Sequence, residues 1–438
     1  MSLHCDVAVC GAGIAGIAAA LMSARQGAKT LLVERYGRLG GMAVQAMVGP
    51  LAGHVRSRQV DEILKHIGGR RVDYEFLDLK YADLLQAAGC EILLHAWITE
   101  PLTDGNRVTG ARFLTKEGMM GVKARVTIDA TGDGDLAVGA GAQFDQGRGD
   151  GASWKADGLV QPMTIMFRVA GVNHAESMQA HGGWRGYRFP DGRSWRQITK
   201  NGNATGELPS TVGTVRIDPS LRDDERVINA TQINHVDGTK VFDLTKAELE
   251  GRAQVPPIVA FLRKNAPGFQ NAYVSGMPAV IGVRETRRIR GMESLSVQDL
   301  ISGRKWPNAV VRGASYGIDI HNPDGIGLAE GVSDQHPLGR ARSVKPYDIP
   351  YGCLVPREMD GLLTAGRCIS GTHEAMASYR VQVIAMGTGV AAGVAAALDG
   401  DQLLVGAELG QGAVLHDPHP VGPGRGGEAV GDHDRGAP

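Results

Sequence analysis

A glycine-rich turn near the start of the chain constrains the fold more than any other feature. An apolar run at 7–10 leads into Gly11-x-Gly13-x-x-Gly16, and apolar residues then recur at helical spacing up to Gly27. A second apolar run at 30–33 ends directly on Glu34, whose carboxylate would accept hydrogen bonds from a ribose. This order of strand, turn, helix, strand and acid predicts a parallel α/β sheet of the Rossmann type.

Each part of the motif has a physical role. Gly11 permits the tight turn, Gly13 lets backbone amides approach a pyrophosphate, and Gly16 lets the helix pack closely on the strand. The helix begins at Ile14 and Ala15, where its unpaired N–H groups and its dipole attract phosphate charge. The motif therefore predicts a bound dinucleotide, and by itself it leaves the choice between FAD and NAD open.

Three later glycine turns indicate FAD. The segment 38–42 contains Gly40, Gly41 and Met42 after the second strand, and Ala130-Thr131-Gly132-Asp133 ends a later strand. A third turn, Ala365-Gly366-Arg367, also follows a short apolar run. We expect these strand ends to converge where an extended dinucleotide crosses the sheet.

With these turns the sequence resembles the FAD-dependent oxidoreductases that have a glutathione-reductase-like FAD fold. The motifs that carry the resemblance are Ala130-Thr131-Gly132-Asp133, Gly366-Arg367-Cys368-Ile369-Ser370, and the segments 161–164, 284–288, 346–351 and 386–389. The resemblance covers roughly residues 4–400. It implies FAD as cofactor and redox chemistry, and it names no substrate.

The resemblance also implies which residues contact the cofactor. These are Gly11, Gly13, Gly16, Glu34, Arg35, Gly41, Thr131, Gly132, Gly366 and Arg367. Further cofactor contacts are expected at Ile14, Ala15, Gly40, Met42, Ala96, Asp133, Gly387 and Gly389. One departure follows the paired glycines, where Ala43-Val44-Gln45 replaces the smaller polar residues common in the family. The contacts of that loop with the flavin stay open.

The chain divides into two predicted domains. Residues 1–150 and 346–400 are expected to form a discontinuous FAD-binding domain, and a long helix is predicted at 378–398. The intervening residues 151–345 mix apolar alternation with polar loops, which predicts an inserted substrate domain of mixed α+β type. Residues 411–438 are rich in Gly, Pro, His and Asp, so we expect a disordered tail.

Composition excludes several classes of partner and site. The formal net charge of -1 gives no electrostatic reason to expect nucleic acid or a membrane surface. The five cysteines form no CxxC pair, which predicts reduced thiols in a cytoplasmic protein, no dithiol chemistry and no metal site. A small molecule is the expected partner, and the oligomeric state is left open.

Three groups of residues are candidates for catalysis. His373 lies in a predicted loop at 370–374, shortly after the glycine turn at Gly366, and Tyr379 and Arg380 follow it. It could act as a proton acceptor or only position the loop. His321 is the second candidate for a base. Arg284 begins a basic cluster at 284–290 that either binds an acidic substrate or forms structural ion pairs.

Four functions are compatible with these features. The first is an FAD-dependent dehydrogenase or oxidase that removes hydride from a small organic molecule. The second is a reductase supplied by a separate electron donor. The third is a flavin monooxygenase or hydroxylase that uses NAD(P)H, although the chain has no second Gly-x-Gly-x-x-Gly unit after a strand. The last is a non-catalytic FAD-binding scaffold.

Overall fold

Strand β1 (Ser2–Cys10) has parallel neighbours on both sides, as expected of a central Rossmann strand. Its residues Val7 and Val9 are fully buried, because helices cover both faces of a parallel sheet. The computed structural model describes residues 2–149, 157–326 and 343–398. The tail predicted at 411–438 lies outside these residues.

The remaining elements follow in chain order. The strands are β2 (Thr30–Val33), β3 (Glu91–Leu93), β4 (Trp97–Asp104), β5 (Arg107–Thr115), β6 (Gly118–Asp129), β7 (Phe144–Gln146), β8 (Met166–Ala170), β9 (Arg216–Pro219), β10 (Arg226–Asn229), β11 (Tyr273–Gly276), β12 (Arg287–Ile289), β13 (Ala309–Ala314), β14 (Tyr347–Pro350) and β15 (Leu362–Thr364). The helices are α1 (Ile14–Arg25), α2 (Met42–Gln45), α3 (Arg58–His66), α4 (Leu77–Ala87), α5 (Asp135–Gly139), α6 (Gly183–Gly186), α7 (Trp195–Ala204), α8 (Val241–Ala253), α9 (Val255–Asn265), α10 (Val297–Ser302), α11 (His373–Tyr379) and α12 (Gln382–Ala397).

The main sheet aligns the ends of its parallel strands. Its order is β3-β2-β1-β6, and β15 pairs with the last residues of β6, while β5 and β4 add antiparallel strands beside the start of β6. Cys10 is level with Val33 on one side and with Asp129 on the other, and Thr364 is also level with Asp129. The predicted α/β class with a parallel sheet is therefore confirmed, and the turns after β1, β2, β6 and β15 lie at one edge.

Two helices pack backbone against backbone next to this edge. A Cβ on Gly389 of α12 would lie 2.0 Å from the carbonyl oxygen of Ala15 in α1, and one on Gly393 would lie 2.1 Å from that of Ala19. No side chain fits in these gaps, so glycine is required at both positions. The N-terminal motif and the late helix therefore belong to one packed unit.

The predicted helix at 378–398 is shorter in the structure, because the chain bends by 91° between α11 and α12. Val381 has extended backbone at the break, and α12 begins at Gln382. The Gln382 side chain donates to the carbonyl oxygen of Val48 at 2.9 Å and accepts from the amide of Ala52 at 3.3 Å, which fixes the bend. The loop predicted at 370–374 is likewise a helix from His373 onwards.

A second sheet lies in the middle of the chain. Its four strands pair antiparallel in the order β11-β8-β10-β9 and have a hydrophobic core of their own, which runs from Met163 to Ile281. Trp195 is fully buried in that core, and its indole N–H donates to the carbonyl oxygen of Val215 at 2.7 Å. After this segment the chain returns to the first core, where Val311 packs.

No helix in the described ranges is long and apolar enough to cross a bilayer alone, although α11 and α12, which are bent by 91° relative to each other, together have the length and composition of a span.

We predict that Gly389→Ala and Gly393→Ala each destabilise the protein. Alanine favours a helix over glycine by about 1 kcal/mol, but the clash with α1 should cost about 1–3 kcal/mol more than that gain. Gly387→Ala is the matched control, because its nearest contact is the side chain of Val311 at 3.3 Å. Denaturant unfolding of the three variants measures the difference. Equal stability of Gly389→Ala and the control would contradict the packing described.

Candidate active site

A large cavity opens at the aligned strand ends of the main sheet. Its volume is about 550 Å³, within the range of small-molecule sites. One part of its wall consists of the turns after β1, β2, β6 and β15, and the other part comes from β9, β10 and the segments 282–284 and 316–321. The two sheets therefore contribute to one cavity.

The first glycine turn is tight towards the protein and open towards the cavity. Gly11 has a φ of 96°, and a Cβ on it would lie 2.6 Å from the carbonyl oxygen of Ala130. A Cβ on Gly41 would lie 2.7 Å from the Cα of Gly13. A Cβ on Gly13 itself meets no protein atom within 4 Å, because it points into the open space of the cavity. This is the shape that lets a phosphate approach backbone amides.

Glu34 is held at the end of β2 by backbone donors. Its Oε2 accepts from the amide of Ala12 at 2.7 Å and its Oε1 from the amide of Tyr36 at 3.0 Å. The Arg35 guanidinium lies 4.8 Å from the ring centre of Tyr36 and 5.0 Å from that of Trp97. This end of the cavity thus combines a fixed carboxylate with a flat cationic and aromatic surface.

The turn after β6 is stabilised by a buried carboxylate. Asp129 accepts hydrogen bonds from the amide and hydroxyl of Thr131 at 3.0 and 2.7 Å, and from the amide of Ala137 at 2.8 Å. Asp133 pairs with Arg367, and the Arg367 Nε donates to the carbonyl oxygen of Gly132 at 3.0 Å. These contacts join the turns after β6 and β15 into one wall.

The start of α12 forms another part of the wall. Val381, Gln382 and Ala385 line the cavity, and the positive end of the helix dipole faces it. The amide of Gly366 donates to the hydroxyl of Thr388 at 2.9 Å, which fixes the turn after β15 against the same helix.

Most of the residues predicted to contact a cofactor line this cavity. They are Gly11, Gly13, Ile14, Ala15, Glu34, Arg35, Gly40, Gly41, Met42, Ala96, Thr131, Gly132, Asp133, Gly366 and Arg367. Gly16 does not line it, since a Cβ there would lie 1.8 Å from the carbonyl oxygen of Gly11 and so supports the turn from behind. Gly387 and Gly389 are also outside the lining, because they pack α12 against Val55, Val311 and Ala15.

Three of the five residues predicted for catalysis lie at the other end of the cavity. His321, Arg284 and Arg380 all line it. The His321 Nε2 lies 3.7 Å from Oδ2 of Asp319, and Nη2 of Arg380 donates to the Asp319 carbonyl oxygen at 3.0 Å. The Arg284 Nη1 donates to the carbonyl oxygen of Pro162 at 2.8 Å.

Burial and neighbouring charges set the protonation states of His321, Asp319 and Arg284. Burial and the positive charge of Arg284 lower the pKa of His321 to about 3, so the imidazole is neutral at pH 7. Burial tends to raise the pKa of Asp319, but the contact with His321 and the positive charges of Arg380 and Arg284 outweigh burial and lower it. Burial and the charge of Arg380 lower the pKa of Arg284 to about 9, which leaves the guanidinium charged at pH 7.

His373 and Tyr379 do not line the cavity. His373 is 1% exposed, and its Nδ1 lies 2.8 Å from Oε1 of Glu285, which also pairs with Arg288. Tyr379 is fully buried, and its hydroxyl donates to the carbonyl oxygen of Ile369 at 2.9 Å. The prediction placed them in or beside a loop, whereas α11 packs both side chains into the core.

The basic cluster at 284–290 separates into two kinds of residue. Arg287 pairs with Asp135, Arg288 with Glu285, and Arg290 with Asp145. These three therefore form the structural ion pairs that were one of the two alternatives. Arg284 alone of the four lines the cavity.

The sequence prediction missed several residues of the polar end. They are Arg185, Arg216, Asp218, Asn229, Tyr316 and Asp319. A signal was present for some of them, because alternation on a strand places Arg216 and Asp218 on the same face. Nothing local to Arg185 indicates the site.

A metal centre is not found in the described part of the chain, where no group of three His, Cys, Asp or Glu side chains is arranged to hold an ion.

One family model matches nearly the whole chain. The sequence model of the family described as FAD dependent oxidoreductase matches residues 6–407. No curated protein matches the chain. A geranylgeranyl bacteriochlorophyll reductase-like protein from Thermoplasma acidophilum is 14% identical, with 93% of this chain and 83% of that one covered and a TM-score of 0.47. A flavin-dependent brominase is 13% identical, with 92% and 80% covered and a TM-score of 0.42.

The family match extends from the first strand to beyond the last described helix and includes each turn that lines the cavity. The protein therefore belongs to the FAD-dependent oxidoreductases, and its cofactor is FAD.

Proposed function

We propose that this FAD-dependent oxidoreductase oxidises a small organic molecule, which gives up a hydride from carbon and a proton from an attached hydroxyl group. The observation that carries this proposal is the shared cavity. Its glycine turns suit a dinucleotide, and its far wall presents His321, Asp319 and several arginines. A substrate bound there would lie in the same enclosed space as the cofactor's ring.

The cofactor residues fit a dinucleotide at specific points. Backbone amides at 11–15 would hold the pyrophosphate in the open space next to Gly13, and Glu34 would accept from the adenosine ribose. The start of α12 would lie against the pyrimidine part of the flavin, where negative charge develops on reduction. The aligned strand ends support the glutathione-reductase-like form of this unit. When bound, the flavin supplies the acceptor for the hydride and its two electrons.

Residues of the chain itself would accept the hydroxyl proton and stabilise the resulting charge. His321 is neutral at pH 7, so its imidazole can accept the hydroxyl proton as the C–O single bond becomes a carbonyl. Asp319 would stabilise the imidazolium that forms, since its carboxylate is within 4 Å of Nε2. Most of the residues that contact the substrate would come from 151–345, the segment we propose as the substrate domain.

His373 fits a positioning role better than that of a base. Glu285 joins it to the cavity, because Oε2 of Glu285 accepts from the amide of Gln161 at 2.9 Å. The Gln161 Oε1 accepts in turn from the amide of His321 at 3.1 Å. His373 and Glu285 would therefore hold the segment that carries His321.

Anaerobic reduction of the bound flavin tests the function. Small alcohols and hydroxy acids are added one at a time, and loss of the oxidised flavin absorbance is recorded, followed by reoxidation with oxygen, quinone or nicotinamide. The proposal expects at least one such compound to reduce the flavin directly. Reduction by NAD(P)H alone, with oxygen then inserted into a second compound, would instead show a monooxygenase.

We predict that Gly13→Leu removes FAD without unfolding the protein. Gly13 has a φ of -67°, which any residue adopts, and its side-chain direction is open, so the chain tolerates leucine while the cofactor does not. Flavin released on denaturation and the far-ultraviolet circular dichroism spectrum measure the two effects. Gly121→Leu is the control, because its Cβ also meets nothing within 4 Å, in β6 and outside the cavity lining. A full complement of FAD in Gly13→Leu would contradict the site.

A second prediction separates the two histidines. In FAD-loaded protein His321→Gln should slow flavin reduction by the donor found above by roughly 10²- to 10⁴-fold, the usual contribution of a general base. His373→Gln should mainly lower the unfolding stability, because it disturbs the buried contact with Glu285. Stopped-flow reduction and denaturant unfolding are measured for both variants. A wild-type reduction rate in His321→Gln would contradict its role as the base.

A further inference from the structure

Four arginine side chains reach the polar end of the cavity from separate segments of the chain. Arg185 comes from α6, Arg216 from β9, Arg284 from the segment before β12, and Arg380 from the break before α12. The acidic groups at this end are Asp218 and Asp319, so the described lining here carries two more positive than negative charges. His321 adds no charge at pH 7.

We propose that these arginines bind the carboxylate of an anionic organic substrate, an inference that rests on the proposed function. A guanidinium recognises a carboxylate through paired hydrogen bonds, and a site with excess positive charge selects an anion over a neutral molecule of the same shape. The structural arginines of the neighbouring segment, 287–290, already have acidic partners and take no part.

The hydrogen bonds of the cavity arginines leave donors available. The hydrogen bonds of the Arg284 side chain, within the described residues, are made by Nη1 to Pro162 and Thr164. Arg380 uses Nη2 on Asp319, and in the described part of the chain its buried Nε has no hydrogen-bond partner. A buried donor without an acceptor is unfavourable, and a bound anion removes that cost.

Arg216 is the best placed of the four. Its side chain is partly buried, and within the described ranges it forms no hydrogen bond or ion pair with another side chain. Burial of the guanidinium lowers its pKa, because the charged form is less well solvated there. Asp218, on the same face of β9, partly balances that charge, and it is not within ion-pair distance of it.

The arginine cluster would also couple binding of the anionic substrate to proton transfer to His321. Burial and Arg284 hold the pKa of His321 low, so an anion next to Arg284 would oppose that charge and make the imidazole a stronger base. Substrate binding would thus prepare His321 for the proton that it accepts. A neutral substrate would not have this effect.

Two other anions, the pyrophosphate of the cofactor and inorganic anions, can be distinguished from a carboxylate substrate. We propose that the pyrophosphate binds at the backbone amides of 11–15, and none of these residues belongs to the arginine cluster. Inorganic anions would bind by charge alone, whereas the shape of the site should distinguish organic acids from chloride or phosphate.

The test uses FAD-loaded protein and changes in the visible absorption spectrum of the flavin, which needs no turnover. Acetate, succinate and benzoate are titrated against acetamide, succinamide and benzamide, with phosphate as the inorganic anion. We expect saturable binding of at least one carboxylate, and binding of its amide and of phosphate at least tenfold weaker. Arg216→Met and Arg284→Met should each weaken that binding by roughly 10- to 100-fold, as loss of a charged hydrogen bond does.

Two further variants control for damage to the fold. Arg196→Met removes an exposed arginine of α7 outside the cavity and should leave the titrations unchanged. Arg216→Lys keeps the charge without the paired donors and should bind more weakly than wild type and more tightly than Arg216→Met.

The outcomes distinguish the two proposals. Protein that holds no FAD would overturn the proposed function itself. FAD-loaded protein that binds none of the carboxylates, or binds amides or phosphate equally well, would overturn the inference and leave the cofactor assignment intact. Unchanged affinity in both methionine variants would also overturn it.

Discussion

The structure depends on the close approach of backbones around the first glycine turn. A Cβ at Gly16 would lie 1.8 Å from the carbonyl oxygen of Gly11, and one at Gly389 would lie 2.0 Å from that of Ala15. These contacts set how near α1 lies to β1 and how near α12 lies to α1. Since both helices begin at the cavity, the position of its walls follows from glycine at these positions.

The cofactor half of the site could be predicted because its residues follow strand ends. In a parallel sheet those ends lie at one edge, so short motifs at Gly11, Glu34, Thr131 and Gly366 were enough to place them together. Gly387 and Gly389 were predicted as cofactor contacts, and in the structure they pack α12 against Val55, Val311 and Ala15. Glycine in a helix indicates that another group lies close to the helix backbone, and the sequence does not tell whether that group is a cofactor or another helix.

The substrate half could not be predicted in the same way. Arg185, Arg216 and Asp319 are separated in the sequence and come together at the cavity. No local pattern encodes that meeting. His373 shows the converse problem, because proximity in sequence to the turn at Gly366 suggested a place in the site. In the structure His373 begins α11, and its side chain is buried in the core, where Glu285 is its partner.

Together these features describe a cavity with two electrostatic characters, a backbone-lined half in which we propose that the dinucleotide binds and an arginine-rich half in which we propose that a substrate binds. The most direct measurement is a crystal structure of the FAD-loaded protein. The account predicts the pyrophosphate at the amides next to Gly13 and the flavin ring between the start of α12 and His321. Phosphates bound by Arg216 and Arg284, with the ring elsewhere, would contradict it.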